Sequence, residues 1–172
     1  WDSIGQYLPK MDNHLADFVN SNNNSIVVAK RFNYNNPESI NEDKYYKKIY
    51  GDSIHLEENF MNLFSTYYLL FKSQVIVGFE STVLYEALGF GLKVFFCNYN
   101  DWTENHFSYP DTEYIHTSGS YSEFEEKLNN LINMDYDLYL QKIEPARKYY
   151  MNFHPESLLH KILKTKLLEG IK

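Results

Sequence analysis

The chain has 172 residues, a net charge of −7 and a single cysteine. That length suits one domain with a substantial core. The acidic balance argues against a general nucleic-acid binder, which would carry a basic face, and one cysteine supports neither a disulfide framework nor a cysteine metal site. No stretch approaches the roughly 20 apolar residues that cross a bilayer. The first ten residues, WDSIGQYLPK, lack a signal-peptide pattern. A cytoplasmic chain is expected, and a start at Trp1 suggests a piece of a longer protein.

From Ile4 to Val19 the residues Ile4, Leu8, Met11, Leu15, Phe18 and Val19 recur at helical spacing, which predicts a helix interrupted near Pro9. Ser25 to Ala29 (SIVVA) reads as a buried strand ending at the basic pair Lys30 and Arg31. A short helix follows over Asn41 to Tyr50, stopped by Gly51, and Ser53 to Glu57 makes the second strand. Asn59 to Lys72 should be a helix turning Phe60, Leu63, Phe64, Tyr67, Leu70 and Phe71 inward.

Residues 73–98, SQVIVGFESTVLYEALGFGLKVFFCN, are the most informative segment. Val75 to Val77 form a short apolar run and Gly78 allows a tight exit. A helix should then run over Thr82 to Phe90, and Lys93 to Cys97 form the next strand. Asn98 to Thr112 is a long polar and aromatic loop, and long loops in small domains often carry function. Tyr114 to Thr117 would add an edge strand before a helix over Ser122 to Asn133. The tail, Tyr136 to Ile171, reads as helical with breaks near Pro145 and Pro155. Strands alternating with helices imply right-handed crossovers. The expected architecture is α/β: one Rossmann-like three-layer domain over residues 1–172, with a parallel sheet of about five to six strands and a helical C-terminal tail.

In such sheets ligands gather at the carboxyl ends of the strands, where exposed helix N–H groups favour phosphate. Gly78, Glu80, Ser81 and Thr82 lie at that turn, and their small hydroxyls and amides suit an oxygen-rich anion; helix capping by Ser81 explains the same residues. Glu86 lies one turn deeper, leaning toward the helix N-terminus, where it could accept hydrogen bonds from two neighbouring hydroxyls or simply be solvated. Glu58 lies at the end of the second strand and Asn98 just after the fourth, while His106 lies in the long loop; these could meet a base or sugar, although capping explains the Glu58 loop as well and plain exposure is the commoner role for a loop histidine such as His106. The six histidines show no paired metal-binding spacing. Neither GxSxG nor a Walker A motif is present.

The run GFESTVLYEALGFGLKVFF resembles the nucleotide-sugar-binding signature in the C-terminal half of GT-B glycosyltransferases, notably those that build bacterial surface polysaccharides. The resemblance is tightest over residues 73–98 and follows the element order over 25–135. It implies that Ser81 and Thr82 meet the donor phosphates, Glu86 the ribose hydroxyls, and that Gly91 shapes the turn into the next strand. Many relatives carry a His-Pro pair after the first strand. This chain has Lys30, Arg31 and Phe32 there, and the basic pair would neutralise a diphosphate; its own His154-Pro155 lies far downstream.

The function implied is donor binding in a glycosyltransferase of surface polysaccharide or glycolipid synthesis. The nucleotide sugar would be its substrate, with no cofactor and no metal. The glycan or glycolipid acceptor and any catalytic base would belong to a missing N-terminal domain, so little turnover is expected from this chain alone. The full-length protein would work at the inner face of the membrane. The alternatives are a nucleotide-sugar epimerase of the same architecture and a non-catalytic GT-B-like interaction module.

Overall fold

The computed structural model describes residues 8–22, 24–51, 54–58, 65–79, 81–99, 115–116 and 120–151. Helix α1 spans Leu8–Asn22, β1 Val27–Ala29, α2 Glu38–Tyr50, β2 His55–Glu57, α3 Ser65–Lys72, β3 Ile76–Gly78, α4 Thr82–Gly89, β4 Val94–Cys97, β5 Ile115–His116, α5 Tyr121–Asn133 and α6 Tyr136–Tyr150. The order is that of an α/β chain, and among the described residues every strand pairing is parallel.

The expected single sheet of about five to six strands is corrected. The described residues hold five strands in two sheets, β1-β2 and β3-β4-β5. Each strand has only two to four residues, too few slanted ladder bonds for the strands to carry the fold themselves. Burial is concentrated in β4, all four of whose residues are buried. The expectation of a buried first strand fails, because Val27 and Ala29 face solvent and only Val28 is partly covered.

The core forms where helices close over β4. Met11, Leu15 and Phe18 supply one face of α1, Leu84, Ala87 and Leu88 that of α4, Phe124, Leu128 and Leu131 that of α5, and Tyr139, Ile143 and Ala146 that of α6. Phe95 and Phe124 meet edge to face at 5.3 Å, the arrangement aromatic quadrupoles favour. Phe71, expected inside, is mostly exposed and touches Phe90, while Leu70 takes the buried position.

Of the three breaks expected at prolines, the one near Pro145 does not occur, and the residues before Leu8 that the helix interrupted near Pro9 would include lie outside the described residues. Pro9 sits in the first turn of α1, where an amide would have no helical partner. Pro145 lies inside α6, which continues through it to Tyr150. The carbonyl it leaves unbonded belongs to the exposed Gln141, which water can solvate, and burial of Ile143 and Ala146 offsets the cost. The break expected near Pro155 lies outside the described residues.

Side chains fasten the amino end of β4. The Tyr139 hydroxyl donates to the Leu92 carbonyl at 2.6 Å and accepts the Val94 amide at 3.2 Å. Lys93 Nζ donates to the carbonyls of Ile132 and Met134 at 2.8 and 2.6 Å, and Arg147 donates twice to Gly89 O at 3.1 and 2.9 Å. Each places a cation at a helix C-terminus, where the dipole is negative. Gly91 turns the chain from α4 into β4 at φ +81°, and a Cβ there would stand 2.9 Å from Leu140 Cδ2. Gly91→Ala should therefore lower stability by about 1 to 2 kcal/mol, read as a lower urea midpoint with an unchanged slope.

Candidate functional site

Because β3, β4 and β5 run parallel, their carboxyl ends share an edge, occupied by Gly78, Cys97 and His116. Gly78 lets the strand end approach α4 closely, since a Cβ would lie 3.1 Å from both Leu84 methyls. Ser81 then takes the N-cap position in extended conformation (φ −105°, ψ 133°), and its carbonyl accepts the Leu84 amide at 3.0 Å. Its side chain makes no capping hydrogen bond. The contrast within the chain is clear: Ser120 Oγ accepts from the Glu123 amide to start α5, and Asp135 Oδ1 accepts from the Leu138 amide to start α6. Ser81 and Thr82 are both exposed, so an uncapped helix start with adjacent hydroxyls faces solvent. Glu80 lies outside the described residues.

Glu86 is half-buried one turn along α4. The Tyr67 hydroxyl, from α3, donates to its Oε2. That bond and partial burial raise the phenol's pKa, so Tyr67 stays a donor.

The ends of β1 and β2 form a second group. The Lys30 amide bonds to Glu57 O at 3.2 Å, placing Lys30 and Glu58 together at their strand ends. The Lys30 side chain is 1% exposed; Nζ donates to Ser39 Oγ at 2.7 Å and pairs with Asp43 at 2.7 Å and Glu58 at 2.9 Å. Burial alone would lower its pKa, but the two carboxylates outweigh that and raise it. Three acceptors thus engage an ammonium that has three N–H groups. Glu42 reaches back from α2 and accepts the amides of Arg31 and Phe32 at 2.7 and 3.1 Å, fixing the path out of β1. Arg31 is exposed, its guanidinium 5.5 Å from the Phe32 ring centre.

At the carboxyl ends of β4 and β5 the side chains turn inward. Asn98 is buried and its amide bonds to His116 O at 2.8 Å. His116 is fully buried, stacked on Phe95, and neither ring nitrogen has a hydrogen-bond partner among the described residues. Burial pushes its pKa down to about 4. His14 Nδ1 and the Tyr99 hydroxyl meet at 3.1 Å beside it, and burial pushes the Cys97 thiol up. On the same helix as His14, Asp12 accepts the hydroxyls of Tyr45 and Tyr50 at 2.8 and 2.9 Å. His106 lies outside the described residues.

The structure therefore places Gly78, Ser81 and Thr82 at the β3–α4 turn with Glu86 one helical turn further along α4, and Lys30, Arg31 and Glu58 at the β1-β2 end. Sequence reasoning missed Tyr67 and Glu42 as partners of these groups. Tyr67 stands 19 residues from Glu86, and no periodicity links two helices across a strand. Glu42 carries the signal of any helical surface carboxylate.

The chain is thus an α/β protein whose parallel strands end beside a helix start that carries no side-chain cap. Over residues 9–165 the chain matches the model of a family described as "putative O-antigen biosynthesis protein", and it belongs to that family. O-antigen synthesis is surface polysaccharide synthesis. No curated protein and no solved structure matches the chain. Among the described residues no helix is long and apolar enough to cross a membrane.

Proposed function

We propose that the chain is the donor-binding half of a glycosyltransferase of GT-B architecture, with its Rossmann-like layering, acting in surface polysaccharide or glycolipid synthesis. The observation that carries this reading is the α4 turn: Ser81 occupies the N-cap without capping, beside the close-packed Gly78 and the exposed Thr82. Donor phosphates would accept hydrogen bonds from the first amides of α4 and from the Ser81 and Thr82 hydroxyls. Glu86 would accept the ribose hydroxyls, and the exposed Arg31 would add positive charge as the nucleotide leaves. The loop bearing His106 would approach the base or sugar, with the buried Asn98 setting its start rather than touching the ligand, and Glu80 would belong to the phosphate turn. Lys30 and Glu58 would act through the path of the β1 exit, held by their ion pair. The acceptor and any catalytic base would come from an N-terminal domain, at the cytoplasmic face of the membrane.

Calorimetry with UDP, GDP and CMP tests the proposal. One nucleotide should bind the wild type, Glu86→Ala should weaken it by about tenfold or more, and Ser81→Ala by about threefold. Full affinity in Glu86→Ala would remove the carboxylate from the site.

One observation favours a second reading, a non-catalytic module of the same architecture: Lys30, the cation expected beside a diphosphate, is enclosed by Ser39, Asp43 and Glu58. Absence of binding to all three nucleotides would support it.

A further inference from the structure

A carboxylate that recognises a sugar diol must hold one rotamer, and a glutamate on a helix surface has three torsions to restrain, at a cost in side-chain entropy. Glu86 does not meet this cost alone. Tyr67 projects from α3, packs against the core cluster, and donates its hydroxyl to Glu86 Oε2 on α4. α3 is itself seated by the buried Ser65 and Leu70, so the phenol is a donor on an anchored element. Holding Oε2 leaves Oε1 and the remaining lone pair of Oε2 to accept from a ligand.

We propose that Tyr67 is a positioning residue that orients Glu86 for a vicinal diol and thereby makes the α4 site prefer ribonucleotides to 2′-deoxyribonucleotides. This rests on the nucleotide-binding reading of that site. The bond raises the phenol's pKa, so the orientation persists through neutral pH. Tyr67→Phe keeps the ring and removes only the donor; Glu86 would then sample other rotamers, and the diol would lose its fixed acceptor.

The test is calorimetry on the whole chain with the nucleoside diphosphate that the wild type binds and its 2′-deoxy counterpart, using wild type, Tyr67→Phe, Glu86→Ala and the double variant. Tyr67→Phe should weaken the ribonucleotide about fivefold, barely change the deoxynucleotide, and add nothing to Glu86→Ala. A purely structural pin between α3 and α4 would weaken both ligands equally, and that result overturns the proposal. Retention of the full ribose preference in Tyr67→Phe, with its loss in Glu86→Ala, overturns the positioning role and leaves the site intact. Absence of nucleotide binding by the wild type overturns both.

Discussion

Lys30→Met should destabilise the protein by about 2 to 3 kcal/mol, read as a lower urea midpoint at neutral pH. The wild-type ammonium is 1% exposed and lies within 2.9 Å of both Asp43 and Glu58. Methionine fills similar space but leaves two carboxylates facing each other without a cation. Breaking a fully buried pair costs about 3 to 5 kcal/mol, and the estimate is lowered because both acidic side chains are 37% exposed and can recruit water. Adding Asp43→Asn and Glu58→Gln to Lys30→Met should recover part of the loss. Lys30→Met within about 0.5 kcal/mol of wild type would show that the network does not hold the β1-β2 end.

Acidification should produce the second large effect. An imidazole in the unfolded chain takes a proton near pH 6.5, whereas His116 in the folded protein does so only at about 4. The folded state binds fewer protons between those values. Stability from this group is therefore complete above pH 6.5 and is lost as pH falls toward 4, by about 3 kcal/mol in all. Burial dominates; Glu123 opposes it, while Lys127, His14 and Lys10 reinforce it. His14, also lowered by burial, adds to the same limb. Asp12 has the opposite sign: burial raises its carboxyl, so its contribution is present below 3.8 and lost as pH rises through its folded value. His116→Phe keeps an aromatic ring against Phe95 and should flatten the limb in urea midpoints measured from about pH 7 to about pH 4. An unchanged acid limb in that variant would assign the loss to other groups.

Much of the element order was legible because it depends on local signals. The α1 face of Met11, Leu15 and Phe18, the Gly51 stop and the apolar run of β4 each announce themselves within a few residues. Pro145 misled because a proline's effect depends on its position in the helix and on which carbonyl it orphans, and both depend on boundaries that periodicity sets loosely. The division into two sheets was not legible: whether Val27 pairs outward or is covered is decided by distant elements. At the candidate site, the small residues of the 78–82 turn were visible as a motif. Tyr67 and Glu42 arrive from other helices, and only the tertiary fold brings the first to Glu86 and the second to the Arg31 and Phe32 amides at the β1 exit.

The fastenings around β4 have an evolutionary consequence. Tyr139, Lys93 and Arg147 bind backbone carbonyls at its amino end and at the last turns of α4 and α5. Gly78, Ser81 and Thr82 stand at the opposite end, with Ser81 contributing no side-chain cap bond to its helix. Selection can therefore vary Ser81 and Thr82 without loosening those joints, whereas Gly78 is held by its close approach to Leu84. The architecture separates what must be inherited from what can diverge.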